Sequence, residues 1–169
     1  MAIRFFSDGV SFQPENKRKI SHWLKQVAAK EEKKINQLRY IFVSNEIILD
    51  INKKYLQHHY YTDIITFDDS TDDTISGEMY ISIDTVRLNA KDYQVDFRNE
   101  LLRVLLHGVL HLCGYSDSTT VEQQEMRAVE DKYLDDWFTS NYSTTSTHFP
   151  SVFPAIPASY IASQENAGK

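Results

Sequence analysis

Two histidines and an aspartate in the second half of the chain have the spacing of metal ligands. His107 and His111 are four residues apart, and Asp117 follows six residues after His111. Residues four apart on an α-helix lie one turn apart on the same face, so two imidazole nitrogens can reach one ion. Gly114 can adopt positive φ and end the helix, which would let the chain turn back. Asp117 can then become a third ligand, so the pattern is compatible with a metal site.

The segment that carries the histidines is otherwise almost entirely apolar. Eight of the twelve residues in 101–112 are Leu or Val, which predicts a central, buried helix. Two histidines at this spacing can also be ordinary core or surface residues. Burying two unpartnered imidazoles is costly, whereas a metal ion satisfies both, so we favour the metal site. Positions 108–110 are Gly-Val-Leu, so the metalloprotease sequence H-E-x-x-H is absent.

Glu100 and Arg103 share the helical face of the two histidines. Offsets of three, four and seven residues return to the same side of a helix, so the four residues form one polar stripe. Arg103 is placed to stabilise phosphate charge, and an ion pair with Glu100 is an equal alternative. Glu100 is expected to support a ligand histidine or to act as a base. Both are therefore candidate catalytic residues.

The elements that position this stripe follow from hydrophobic periodicity. The last two predicted strands are separated by a polar loop at 68–77 and are expected to pair antiparallel, which makes the sheet mixed. The predicted class is a single-domain α+β fold, a small mixed four-stranded sheet packed with about five helices around a central buried metal-bearing helix. The sequence predicts strands at 3–7, 38–43, 62–67 and 78–82, and helices at 14–34, 44–56, 84–93, 96–113 and 120–138.

Composition divides the chain into a folded part and a tail. The chain has 169 residues, of which 41% are hydrophobic, enough for one sizeable core. We expect a domain at 1–138, whose last helix has Met126, Val129, Tyr133 and Trp137 facing inward. Residues 139–169 are rich in Ser, Thr, Ala and Pro, and we expect them to be a disordered or loosely docked tail.

The net charge of −6 is unevenly distributed. Residues 1–39 hold nine Lys or Arg and four Asp or Glu, whereas residues 40–138 hold eight and nineteen. The basic first third could follow a polyanion or could simply be a solvated helix face. No apolar run is long enough to cross a membrane, and no export signal is evident. The single cysteine, Cys113, agrees with a reducing compartment, so we expect a cytoplasmic protein.

Residues 107–115, His-Gly-Val-Leu-His-Leu-Cys-Gly-Tyr, resemble the H-G-x-L-H-L-x-G-Y-D-H signature of the YbeY family. Residues 62–67, Thr-Asp-Ile-Ile-Thr-Phe, are similar to the family's T-D-V-L-S-F strand. Residues 77–82, Gly-Glu-Met-Tyr-Ile-Ser, are similar to its G-D-I-x-I-S strand. The resemblance covers about residues 1–138 and stops before the tail.

Two departures from the family pattern affect the site. Asp117 stands where the family has its third histidine, and aspartate is also a zinc ligand. The alternative is that Ser116 or solvent fills that place while Asp117 caps the next helix near Thr119. Leu56 stands where many members carry an arginine thought to contact RNA, so that contact must be made differently, by Arg103, Arg98 or the N-terminal helix.

The resemblance implies a single-strand-specific, metal-dependent endoribonuclease of ribosomal RNA maturation. Its implied cofactor is one Zn²⁺ held by His107, His111 and Asp117, with Mn²⁺ or Fe²⁺ better tolerated because of the carboxylate. Its implied role is maturation of the 16S rRNA 3′ end and ribosome quality control. The implied partners are single-stranded rRNA precursor and the ribosome or small-subunit proteins, with no DNA and no membrane.

Two other functions remain open from the sequence. The first is a non-catalytic ribosome-assembly factor in which the metal is structural. The second, disfavoured because its ligands usually lie on a β-barrel, is a non-haem iron enzyme with two histidines and one carboxylate.

Overall fold

The computed structural model describes residues 2–56 and 62–141, which form four strands and five helices. The predicted α+β class is confirmed. In chain order the elements are β1 Ile3–Asp8, α1 Lys17–Lys30, β2 Lys34–Val43, α2 Asn45–Leu56, β3 Ile64–Asp68, β4 Thr74–Ser82, α3 Ile83–Asp92, α4 Phe97–Leu112 and α5 Thr120–Asn141.

The four strands form one mixed sheet in the order β1-β2-β4-β3. β1 and β4 both pair parallel with β2, so β2 and β4 occupy the centre. β3 pairs antiparallel with β4, as the short connection between them predicts. Parallel neighbours require crossovers, which α1 supplies between β1 and β2. β4 lies between β2 and β3 although it follows both in sequence.

The two faces of the sheet are covered by different helices. On one face, Tyr40 of β2 is fully buried and its hydroxyl donates to the backbone oxygen of Leu105 in α4, at 2.8 Å. On the other face, Ile41 and Val43 pack with Ile48 of α2 and Ile65 of β3. Successive strand residues point to opposite faces, so this split follows from the period of two. The sheet is thus apolar on both sides, and α4 lies against its middle.

Several predicted boundaries are shifted. α1 ends at Lys30 rather than 34, because the chain turns through Glu32 at φ 58° and enters β2 at Lys34. β4 begins at Thr74 rather than 78, because its polar first residues continue the parallel pairing with β2 from Lys34↔Thr74 onward. The predicted polar loop at 68–77 is correspondingly shorter.

The chain divides into two compact units after Tyr115, Met1–Tyr115 and Ser116–Lys169. The sheet and α1 to α4 belong to the first unit, and α5 belongs to the second. In α5, Met126, Tyr133 and Trp137 are buried as predicted, whereas Val129 is half-exposed. α5 continues to Asn141, three residues into the predicted tail, and the tail from 142 lies outside the described residues. None of the helices in the described ranges is both long and apolar enough to span a membrane.

Candidate metal centre

Helix α4 is held close against the sheet at the position next to His107. Asp96 caps its start by accepting a hydrogen bond from the backbone N–H of Arg98, at 2.8 Å. Gly108 lies over β4, where a Cβ atom would be 2.4 Å from Sδ of Met79. Only glycine permits this approach without displacing the fully buried methionine. Such close packing fixes α4, and with it His107, relative to the sheet.

The C-terminal end of α4 is a Schellman motif centred on Gly114. Gly114 has φ 109°, and its N–H donates to the backbone oxygen of His111 at 3.0 Å. The N–H of Tyr115 donates to the backbone oxygen of Leu110, also at 3.0 Å. These two bonds satisfy carbonyls at the helix end and reverse the chain direction. The predicted role of Gly114 as the residue that ends the helix is confirmed.

His107, His111 and Asp117 come together as a group able to hold a metal ion. One ligand atom from each lies within 4.8 Å of the other two, and all three residues are partly exposed. The Nε2 atoms of His107 and His111 are 2.9 Å apart. We refer to these three residues as the candidate cluster. Two imidazoles and one carboxylate are a common donor set for Zn²⁺ and related divalent cations.

Tyr115 orients the ring of His111. The Nδ1 atom of His111 lies 2.9 Å from the backbone oxygen of Tyr115, which can only accept, so Nδ1 carries the proton. The Nε2 atom of the same ring then faces His107. The hydroxyl of Tyr115 donates in turn to Oε2 of Glu31 at 3.0 Å. Glu31, which the sequence did not single out, and Tyr115, the last residue of the 107–115 run, thus support the geometry of the cluster.

The sequence offered a cap at the start of the next helix as an alternative role for Asp117. Thr119 and Glu122 make that cap instead: the Glu122 N–H donates to Oγ1 of Thr119 at 3.2 Å, and Oε2 of Glu122 accepts from the Thr119 N–H at 3.0 Å. This reciprocal pair is a capping box. The backbone oxygen of Asp117 accepts a hydrogen bond from Nε2 of Gln123 at 3.0 Å.

Glu100 and Arg103 are buried on α4. Their exposed fractions are 5% and 6%, and both take part in interactions within the protein. A buried guanidinium presents little surface to a phosphate in solution. Burial thus favours the prediction that Glu100 supports the histidines, and it argues against direct contact between Arg103 and RNA.

Cys113 is unsuited to act as a thiolate near the site. Burial and the neighbouring Glu31 raise the pKa of its thiol to about 11, despite an opposing effect of Lys33. The thiol is therefore protonated at neutral pH, and a protonated thiol is a poor nucleophile and metal ligand. Its half-buried position is typical of a small packing residue.

Fold and cluster together define a class: an α+β protein whose buried helix presents two histidines at its C-terminal end, with a carboxylate returned to them by a glycine turn. The Endoribonuclease YbeY family model matches residues 3–138 of the chain. The chain belongs to this family, and both the predicted family and the predicted enzyme class, a hydrolase of the nuclease type, are confirmed.

Bacterial relatives support the same family assignment. Endoribonuclease YbeY of Bacteroides thetaiotaomicron is 45% identical over 134 residues, covering 79% of this chain and 98% of the relative. Endoribonuclease YbeY of Cytophaga hutchinsonii is 47% identical over 133 residues, covering 78% of this chain and 93% of the relative. The solution structure of TM1509 from Thermotoga maritima is similar with a TM-score of 0.58 and 28% identity, covering 89% of this chain and 99% of that one.

Proposed function

We propose that this chain is a metal-dependent endoribonuclease that cleaves single-stranded RNA. Its role would be maturation of the 16S rRNA 3′ end and ribosome quality control in the cytoplasm. Membership of the Endoribonuclease YbeY family supports ribonuclease chemistry. The observation that carries the metal dependence is the candidate cluster, whose ligand atoms converge within 4.8 Å.

The residues fit a divalent cation. Two nitrogens bound tetrahedrally at about 2.05 Å are roughly 3.3 Å apart, so the observed Nε2 separation of 2.9 Å would open by a few tenths of an ångström. A metal-bound histidine usually donates its second N–H to a carbonyl or carboxylate, as His111 does to Tyr115. The carboxylate of Asp117 supplies negative charge. The set would accept Zn²⁺ and tolerate Mn²⁺ or Fe²⁺.

A cation held there would supply Lewis-acid polarisation of a phosphodiester oxygen. The chain's own residues do the rest. Tyr115 keeps Nδ1 of His111 protonated and its Nε2 available, and the Gly114 turn holds Asp117 near both rings. We assign Glu100 a positioning role toward the histidines, because it is buried on their side of α4, two turns before His107. Arg103, equally buried, balances the charge of that stripe.

The substrate we propose is unpaired RNA within a ribosomal RNA precursor, presented by the ribosome or small-subunit proteins. The net charge of −6 opposes strong binding to a long polyanion, so phosphate contacts must be restricted to a limited surface. Selection of the cleavage site by an assembled ribosomal particle is consistent with that restriction. DNA is not an expected substrate.

Cleavage and metal content of the full chain test this proposal. A single-stranded RNA, its duplex and its deoxy counterpart are compared with Zn²⁺ and after chelation. Cleavage of only the single-stranded RNA, lost on chelation, is expected. Asp117→Ala should abolish stoichiometric metal and cleavage, and Asp117→His should retain both. Asp135→Ala, an exposed aspartate of α5, is the matched control and should behave as the parent.

Three results would contradict parts of the proposal. Equal cleavage of duplex DNA would exclude the substrate assignment. Undiminished metal affinity of Asp117→Ala would place the third ligand elsewhere. Tight metal binding with no cleavage of any RNA, including RNA within precursor ribosomal particles, would favour a non-catalytic assembly factor.

A further inference from the structure

Helix α1 carries a one-sided positive charge in an otherwise acidic protein. Five of its 14 residues are Lys or Arg and none is Asp or Glu, so no ion pair within the helix can neutralise it. Its opposite side is buried through Trp23, Leu24 and Val27. All five cations are exposed, and we call this group the α1 cationic face: Lys17, Arg18, Lys19, Lys25 and Lys30.

The first turn of α1 lacks the residues that usually stabilise a helix N-terminus. Three of the five cations occupy the first turn, where the helix dipole disfavours positive charge. Asn16 precedes them at φ 59° and makes no side-chain cap. By contrast, α3 begins with a Ser82 cap and an acidic first turn. A helix start that lacks a cap and carries unfavourable charge, without structural gain, is typical of a functional surface.

The carboxylates that flank α1 have other partners. Glu15 forms an ion pair with Arg98 at 2.5 Å, and Glu31 accepts the hydrogen bond from Tyr115. The two carboxylates nearest the ends of α1 thus each have a described partner outside the helix.

The far end of α1 lies beside the candidate cluster. Glu31 follows the last residue of the helix, and its carboxylate contacts the hydroxyl of Tyr115, whose own backbone oxygen binds His111. A helix of 14 residues is roughly 21 Å long. This length equals that of about six phosphates at 3.4 Å spacing, and of fewer phosphates in extended RNA. The side chain of Tyr115 thus connects the end of α1, which carries the α1 cationic face, to the candidate cluster.

We infer that the α1 cationic face binds the phosphate backbone of RNA and leads it to the candidate cluster. The inference rests on the proposed function and adds the binding surface that replaces the family arginine missing at Leu56. Trp23, the aromatic residue of α1, is buried at 5% exposure, so the face offers charge and no stacking platform for bases. Binding there is electrostatic and independent of base sequence.

Salt-dependent binding of a fluorescein-labelled 20-nucleotide oligo(U) RNA to the full chain tests the inference. Chelator is present, so binding is measured without cleavage. The α1 variant carries three glutamines: Lys17→Gln, Arg18→Gln and Lys19→Gln. The control variant removes the same charge from three exposed lysines of α2 and α3: Lys53→Gln, Lys54→Gln and Lys91→Gln. A second α1 variant combines Lys25→Gln with Lys30→Gln.

Each lost phosphate contact lowers the slope of log affinity against log salt by about 0.7 for a single strand. The triple α1 variant should therefore lose about 2 from the slope and bind roughly 100-fold more weakly at 0.1 M salt. Its melting temperature should rise by about 2–6 °C, since cations leave the positive end of the dipole. The control should keep most of the parental slope. The second α1 variant should lose about 1.4 from the slope.

An equal loss in the α1 and control variants would mean that only net charge matters and would overturn the inference. Parental affinity in both α1 variants would also overturn it. The outcome is distinguishable from failure of the proposed function. If RNA binding depends on α1 but no RNA is cleaved, the inference holds and the proposed function fails. If RNA is cleaved but its binding does not depend on α1, the inference fails and the proposed function holds.

Discussion

Gly108 sets how closely α4 approaches the sheet, and an alanine at that position tests this spacing. The added Cβ would lie 2.4 Å from Sδ of Met79 and 3.1 Å from Cδ1 of Ile64. Met79 is fully buried, so its side chain must move within a filled core. Overpacking of this kind costs about 1–3 kcal/mol, and the better helix propensity of alanine offsets about 1 kcal/mol. We expect Gly108→Ala to destabilise the protein by about 1 kcal/mol.

Thermal and urea unfolding of Gly108→Ala measures this loss, expected as a fall of about 2–4 °C in melting temperature. Met79→Ala supplies the matched background, because it removes the obstructing sulfur. In that background Gly108→Ala should be neutral or stabilising, which makes the two substitutions strongly coupled. The contrary result is a Gly108→Ala protein, with Met79 intact, that is more stable by the amount expected from helix propensity alone. That result would refute the close approach of α4 to β4 at Gly108.

Three further outcomes are expected. Gly77→Ala places a Cβ 2.6 Å from the backbone oxygen of Phe67, so it should cost about 3 kcal/mol in urea unfolding, and wild-type stability would contradict the β3–β4 geometry. Tyr115→Phe removes the bond to Glu31 and should weaken Zn²⁺ binding about 10-fold in a chelator competition, and an unchanged dissociation constant would exclude a supporting role. A chain ending at Asn141 should melt within about 2 °C of the full chain, and a much larger fall would show that residues 142–169 stabilise the fold.

Local patterns made α4 and its end predictable. The stripe of His107 and His111 follows from helical periodicity, and the Gly114 turn follows from the conformational freedom of glycine. Both depend on residues within one or two turns of each other. The antiparallel pairing of β3 with β4 was predictable for the same reason, since a short connection joins them.

Long-range contacts were not predictable from local patterns. The insertion of β4 between β2 and β3 depends on pairing between strands that are distant in sequence, as in Ile41↔Tyr80. The contact of Glu31 with Tyr115 joins residues 84 apart, and although Tyr115 ends the 107–115 run, nothing in the sequence marks Glu31 as its partner. The start of β4 was missed because residues such as Thr74 are polar, and only their partners in β2 make them part of the sheet.

The strand order has a consequence for the chain during its synthesis. β2 is complete at Val43, and β1 can pair with one of its edges. β4, which pairs with the other edge, begins 31 residues later, at Thr74. At 5–20 residues per second, a nascent chain would display an unpaired, strongly apolar strand edge for about 2–6 s. Parallel pairing between such distant segments also forms slowly. Newly made protein therefore passes through an interval in which association with other chains competes with completion of its own sheet.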